Sequence, residues 1–288
     1  MDKTITIEAA AKINLALDIV GKRPDGYHDM RMINHSCMLA DRITLVPDGA
    51  YSLDCDSAGL DTGENNLVTR AVRLMERESG KTADFKLVLE KHIPEQAGLA
   101  GGSADAAAVL KLLNEYWELN LTTAELAQLG TCLGADIPYC VTGGTALVEG
   151  IGEQITPLDP GRPEDLPGWL LIVKPGVSVP TPQAFAAADK QGLYHPDIRG
   201  LVTTVRDGAY DRLAEFGGNS FFPAVSGRYP EIAEIRQELL DRGAQYAVMS
   251  GSGSSVVGYF PEETIRDRVW EQLTGLYGSY LIIRTEYR

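Results

Sequence analysis

Lys12 and Asp136 are the residues of this chain whose types suit phosphoryl transfer. Lys12 and Asn14 sit in an alternating run, residues 4–20. There Ile5, Ile7, Ala9, Ala11, Ile13, Leu15, Leu17 and Ile19 share one face, and that period of two predicts a strand. Lys12 and Asn14 then point together to the opposite face, beside Ala10 and Ala16, where small neighbours let a ligand approach the backbone. Asp136 lies in the apolar run Leu133 to Val141, where a carboxylate must be hydrogen-bonded, paired or functional. The reaction needs an ammonium to stabilise charge on the moving phosphoryl group and a carboxylate to orient or deprotonate the acceptor hydroxyl. Each residue also has a plainer reading. Lys12 can be a solvated lysine on an exposed sheet face, and Asp136 a turn or N-cap aspartate just before Pro138.

Such a pair needs phosphates held nearby, and residues 93–108 read as the means. Phe85, Leu87 and Leu89 alternate with Lys86, Val88 and Glu90 as a strand, and Pro94 ends it because proline has no N–H for a ladder. Glu95 to Ser103 contain three glycines and two alanines, and a helix is predicted from about Ser103. A small-residue loop entering a helix offers uncommitted N–H groups and the positive end of the helix dipole, which is a phosphate site. The loop matches neither the Walker A pattern nor the dinucleotide pattern G-x-G-x-x-G. Its plainer reading is a tight strand–helix turn with alanines filling a crowded helix interface.

Two other stretches carry chemistry. Pro24-Asp25-Gly26-Tyr27-His28 is a turn with an aromatic and an imidazole at its exit. It reads as a hairpin corner with a locally packed tyrosine, or as a platform on which Tyr27 stacks a base while His28 bonds the ring edge. Ser250 to Ser255 reads as a plain hairpin loop, or as a second set of N–H and hydroxyl donors facing the glycine loop.

The elements that would position these residues alternate between strand and helix. Strands are expected near 31–47, 51–55, 85–90, 144–148 and 169–173; helices over Leu67–Ser79, 103–117, Thr123–Leu133, 182–190 and about 200–215. Thr122 or Thr123 is the expected N-cap of the third. Residues 156–168, with four prolines, read as a surface connection. The last sixty residues order as helix, strand, loop, strand, helix, strand, an α+β half.

At 288 residues the chain is long enough for one large or two medium domains, and 44% hydrophobic with 23% charged residues is ordinary for a globular protein. The net charge of -14 excludes a nucleic-acid surface but not a phosphorylated small molecule held by local N–H groups and a few lysines. Four cysteines without C-x-x-C or metal-ligand spacing read as buried thiols of a reducing compartment. The N-terminus shows no apolar signal core and no run approaches a membrane span, so the expected location is cytoplasmic, with no membrane partner.

Taken in order, Ala11-Lys12-Ile13-Asn14-Leu15, Pro94 through Ala108 and Met249-Ser250-Gly251-Ser252-Gly253 resemble the three motifs of the GHMP small-molecule kinase superfamily. Lys22 to His28, Gly134 to Pro138 and Pro175 to Pro182 are similar to the branch acting on a cytidine diphosphate-linked methylerythritol in the non-mevalonate isoprenoid route, and the likeness covers nearly the whole chain. The resemblance implies an α+β fold with the GHMP two-domain architecture: a ribosomal-protein-S5-like α/β domain over 1–160 and a ferredoxin-like α+β domain over 161–288. It implies an ATP-dependent kinase that phosphorylates the 2-hydroxyl of that polyol with Mg²⁺, as a monomer or homodimer. Lys12 and Asp136 match the catalytic pair. Asn66, Lys91, Pro94, Ala97, Gly98, Leu99, Ala100, Gly101, Gly102, Ser103 and Ala104 match the ATP side, and Asn14, Tyr27, His28 and Thr181 the cytidyl-methylerythritol side. Another alcohol such as homoserine or mevalonate is the alternative acceptor, which Tyr27 and His28 oppose; a non-catalytic nucleotide sensor is the other alternative, which Lys12 and Asp136 oppose.

The chain departs from the family pattern at three places. Ala100 replaces a glycine, so a left-handed φ there would cost roughly 1 kcal/mol. Ala104 replaces a serine hydroxyl, and Asn219-Ser220-Phe221-Phe222 stands where N-D-x-E is usual.

Overall fold

Two long strands, β1 (Ile5–Lys22) and β2 (His28–Pro47), open the chain and run through both of the compact units into which it divides. The computed structural model describes residues 4–158 and 168–288. Most of the surface connection expected over 156–168, and the domain boundary expected at 160/161, lie outside the described residues.

The first unit comprises the chain to Lys12, Leu39–Glu95 and Ala100–Gly143. Its strands β3 (Ser52–Cys55) and β4 (Phe85–Glu90) pair in parallel, and β4 pairs antiparallel with the end of β2 from Arg42↔Glu90 to Pro47↔Phe85. The strict alternation of β4 buries Phe85, Leu87 and Leu89 completely. Helix α1 (Leu67–Ser79) buries Val68, Ala71, Val72 and Met75, one helical face, and packs on α2 (Gly101–Tyr116). In α2, Ala104, Ala106, Ala107 and Ala108 are buried along with Val109, Leu110, Leu112 and Leu113, so the small residues let neighbours pack closely on nearly every side. Helix α3 (Thr123–Gly130) starts at a capping box. The Thr122 hydroxyl accepts from the Glu125 N–H at 3.2 Å, and Glu125 accepts the Thr122 N–H at 2.8 Å, an arrangement worth about 1 kcal/mol. Helix α4 (Ile137–Thr142) follows Asp136.

The second unit comprises Ile13–Met38, Gln96–Leu99 and Gly144–Arg288. The first half of β2 pairs antiparallel with β5 (Thr145–Gly150), from Met30↔Gly150 to His35↔Thr145, and β5 with β6 (Gln154–Pro157). A second sheet starts at β7 (Trp169–Lys174). Helices α5 (Thr181–Gln191), α6 (Ile198–Arg206) and α7 (Leu213–Phe216) follow. The two-residue β8 (Gly218–Asn219) then pairs in parallel with β1 at Ala16 and Leu17. Next come α8 (Phe222–Arg228), α9 (Pro230–Asp241), β9 (Tyr246–Met249), β10 (Val256–Phe260), α10 (Glu263–Leu276) and β11 (Leu281–Glu286). The antiparallel order β11-β7-β10-β9, with α9 and α10 packed on the sheet, is the split βαβ of a ferredoxin-like fold. The expected α+β class is what the elements form.

Two expectations are corrected. Lys12 and Asn14 do not lie on a solvated face. They are 4% and 0% exposed, because β1 is covered on both sides from Ala11 to Ile19. Of the cysteines, all free, Cys37 is buried but Cys132 is exposed. Among the described residues no helix is long and apolar enough to cross a membrane.

Candidate active site

In the first unit, α4 and β1 bring the expected pair together. Pro138 in the first turn of α4 pre-sets the backbone, and Asp136 takes the N-cap position without capping: its side chain accepts no N–H of the helix. The carboxylate instead faces Lys12, with Oδ1 3.7 Å from Nζ. The two partners differ in access. The Lys12 side chain is 5% exposed and that of Asp136 38%. The result is a buried ammonium beside an open carboxylate, at a separation longer than a hydrogen bond. The nearby Cys140 thiol is pushed well above its usual range, first by burial and then by the Asp136 charge, so it is no nucleophile.

The phosphate site was expected at the start of α2. Ala100 is its N-cap with φ 56° and ψ 33°, the left-handed conformation that the glycine-to-alanine departure was expected to strain. Alanine has no side chain to cap with, and the helix ladder begins with the Ala104 N–H donating to the Ala100 carbonyl at 2.9 Å. The N–H groups of Gly101, Gly102 and Ser103 thus precede the ladder, at the positive end of a 16-residue helix.

Lys91 lies beside this turn; a Cβ on Gly101 would stand 3.3 Å from its Nζ and 3.1 Å from Ile93. Its ammonium is enclosed by two carboxylates, Asp41 and Asp105, the latter at 2.7 Å. Asp41 Oδ1 also accepts the His92 and Ile93 N–H groups, at 2.5 and 2.8 Å. Asp105 lacks such support and its Oδ1 is buried without a partner. Desolvation pushes its carboxyl up to about 7, against the Lys91 charge. Lys91 was expected on the adenine side; its observed partners are these two aspartates. Asn66 was expected there too, and its side chain N-caps α1, accepting the Val68 N–H at 2.8 Å. Pro94, the residue before Glu95, closes the first unit's loop segment and is buried only in part.

In the second unit, the loop Ser250–Ser255 gathers several expected residues. The Ser250 hydroxyl donates to the Gly98 carbonyl at 2.9 Å and accepts the Asn14 N–H at 3.3 Å. Asn14 Oδ1 accepts the Gly251 N–H at 2.8 Å while its amide donates to Asn34 Oδ1 at 2.6 Å. Asn219 donates to the carbonyls of Met249 and Gly251 at 2.7 and 2.8 Å, so the departure at 219–222 keeps the residue that ties this loop. Gly98 has φ +74°, and a Cβ there would stand 2.1 Å from the Ser250 carbonyl oxygen; no other residue type fits. Its neighbours Ala97 and Leu99 are buried. Thr181, at the start of α5, pairs its hydroxyl with that of Ser252 at 3.0 Å. Ser250 and Gly98 are therefore in contact.

The Pro24–His28 turn is built by its own backbone. The Arg23 N–H donates to the Tyr27 carbonyl at 2.7 Å, Asp25 Oδ1 accepts the Tyr27 N–H at 3.1 Å, and Gly26 has φ 90°. Tyr27 is 62% exposed, so its ring does not pack locally. His28 stacks on Phe185 at 4.4 Å and bonds Asp189 at 2.9 Å. Asp41, Asp105, Asn34, Phe185 and Asp189 were not picked out from the sequence. Polar residues in apolar runs, as Asp41 and Asn34 are, were the signal available.

Residues 66–144 match the GHMP kinases N terminal domain and residues 202–278 the GHMP kinases C terminal domain. The 4-diphosphocytidyl-2-C-methyl-D-erythritol kinase of Enterococcus faecalis is 39% identical over 279 residues, covering 96% of this chain and 97% of that one. The chain belongs to this family of GHMP kinases. The protein of the same name from Lachnoclostridium phytofermentans is 41% identical over 96% of this chain and 94% of its own. The crystal structure of a 4-(cytidine 5'-diphospho)-2C-methyl-D-erythritol kinase superposes with a TM-score of 0.79 at 29% identity, covering 98% and 99% of the two chains. A homoserine kinase from Cytophaga hutchinsonii shares the fold, with a TM-score of 0.77 at 17% identity over 99% and 95%. This GHMP kinase is thus an ATP-dependent small-molecule kinase with an α+β two-domain architecture.

Proposed function

We propose that this GHMP kinase transfers the γ-phosphoryl group of ATP to the 2-hydroxyl of 4-diphosphocytidyl-2-C-methyl-D-erythritol. The observation that carries the reading is the buried Lys12 ammonium 3.7 Å from the open Asp136 carboxylate. Asp136 accepts or orients the proton of the attacking hydroxyl, and Lys12 holds Asp136 and offsets charge on the transferring phosphoryl oxygens. The first-turn N–H groups of α2 bind phosphate. Tyr27 offers an exposed ring for the cytosine, and His28 its polar edge.

Among the described residues no group of three or more His, Cys, Asp or Glu side chains is arranged to hold a metal. Magnesium is commonly held by one or two carboxylates plus substrate phosphates. The Ser103 hydroxyl, in the first turn of α2, is the protein group suited to it. When bound, the ion neutralises phosphate charge.

The test measures ADP release with a panel of acceptors. Turnover is expected with the cytidyl-linked methylerythritol and not with homoserine or mevalonate. Turnover confined to either of the latter overturns the reading.

A further inference from the structure

His28 is held from two sides. Its ring face stacks on Phe185 at 4.4 Å and 16°, and its Nε2 lies 2.9 Å from Asp189 Oδ1. The other Asp189 oxygen takes the Lys22 ammonium at 3.1 Å. Hydrogen bonds from His28 first and Lys22 next hold the Asp189 carboxyl below its usual range, so Asp189 is a carboxylate. A carboxylate has no proton to give, so Nε2 is the donor in this bond. A neutral imidazole carries one N–H, which leaves Nδ1 a bare lone pair. Among the described residues, no hydrogen bond is made to Nδ1.

We propose that Asp189 is a specificity-determining positioning residue: by fixing the Nε2–H tautomer of His28 it leaves Nδ1 as an acceptor for the exocyclic amino group of cytosine. This rests on the reading above that the acceptor carries a cytidine diphosphate, and goes beyond it by naming what selects the base. Cytosine presents an N–H₂ donor at the position where uracil presents a carbonyl acceptor. Two facing acceptors leave both without a proton, and a site built for one hydrogen-bond pattern rejects the analogue lacking it. Lys22 acts on the far oxygen of Asp189, keeping it ionised. Asp189 itself acts through His28 and touches no substrate in this scheme.

Two measurements test it. Long-range ¹H–¹⁵N NMR at about pH 8, above the usual imidazole range, reads the tautomer directly. The chain has four histidines, and a His28→Gln variant assigns the signal. The wild type should show a protonated Nε2 and a bare Nδ1, and Asp189→Ala should move the ring toward a tautomer mixture. In kinetics with the cytidine diphosphate-linked methylerythritol and its uridine analogue, Asp189→Ala should raise KM for the cytidine compound about tenfold, the value of one hydrogen bond. The preference for cytidine over uridine should fall by a similar factor, with kcat and the KM for ATP unchanged. Asp189→Asn keeps an oxygen acceptor and should retain most of the preference, which a merely structural role would not separate from Asp189→Ala. An Nδ1–H tautomer in the wild type overturns the proposal, as does a base preference that neither variant moves. A wild type that phosphorylates neither compound overturns instead the acceptor reading, and with it the base assigned here; the NMR result still stands on its own for the tautomer.

Discussion

Two lysines of the first unit face carboxylates, and they do so in opposite ways. Lys91 is enclosed: its side chain is 8% exposed, its partners Asp41 and Asp105 are 0% and 4%, and Asp41 spends its remaining acceptor capacity on two backbone N–H groups. Lys12 is equally buried but its partner is not: Asp136 lies 3.7 Å away with its side chain 38% exposed. A closed cluster ties the fold together, because its three side chains meet one another out of reach of solvent. An open pair keeps its carboxylate in reach of solvent, where a reacting hydroxyl can meet it. A buried lysine is common to both, so burial alone does not tell them apart; the exposure of the carboxylate does.

The comparison is broken most directly at Asp136. Asp136→Asn removes the proton acceptor and keeps the shape, so kcat should fall by about 10²–10⁴-fold, the usual contribution of a general base. The same change should alter stability by less than about 1 kcal/mol, since a half-open ion pair contributes little. Turnover within a few-fold of wild type, measured on purified protein with an unchanged Tm, would show that the open pair is not catalytic.

The closed cluster should give the reverse. Asp41→Ala leaves the Lys91 ammonium short of a partner and strips the acceptor from the His92 and Ile93 N–H groups. Breaking one side of a buried ion pair costs about 3–5 kcal/mol, readable from urea unfolding. A loss under about 1 kcal/mol would mean that the cluster contributes no more than the open pair, and the contrast between them would fail.

How far the sequence told these clusters apart follows from what each depends on. Helix α1 is legible to the residue, Leu67–Ser79, because its apolar spacing and its caps are local. The order of the last sixty residues is legible too, where turns separate short, clearly periodic segments, while the N-cap of α3 was narrowed only to Thr122 or Thr123. Lys12 and Asp136 were legible as a pair by type and by resemblance. The burial of Lys12 was not: alternation shows which residues share a face of β1 but says nothing of what covers that face. The short helix α4 was hidden inside an apolar run containing Pro138, and β8 is only two residues long. Lys91 was placed on the ATP side by resemblance; its tie to Asp41 and Asp105 was not legible, because no spacing rule joins three such separated residues.

Protonation sharpens the comparison further. Asp105 is pushed up to about 7 by burial, above the ordinary aspartate range near 4. Between those values the folded chain keeps a proton that the unfolded chain has released, so this group's contribution to stability is full below about pH 4 and is lost as pH rises through about 7. Asp105→Asn has no proton to lose. Its Tm relative to wild type should therefore climb as the pH is raised across that window. Parallel Tm–pH profiles would show that Asp105 titrates no differently in the folded chain, and that the cluster holds three full charges.

The smallest effect is expected at Ala100, which N-caps the helix carrying Asp105. Its left-handed φ of 56° costs an alanine roughly 1–2 kcal/mol that a glycine does not incur. Glycine gives back about 0.5–1 kcal/mol of that gain through the greater freedom of the unfolded chain. Ala100→Gly should thus be stabilising by under about 1 kcal/mol, a rise in Tm of no more than about 4 °C for a chain of this size. The strain persists because its surroundings over-determine the conformation, and the closed Asp41–Lys91–Asp105 tie fixes the first turn of α2 just beyond it. In an Asp41→Ala background that constraint is weaker and the alanine can relax, so the same Ala100→Gly change should gain less. An equal gain in both backgrounds would mean that the tie does not hold Ala100, and would confine the cluster's influence to its own three side chains and the two N–H groups it binds.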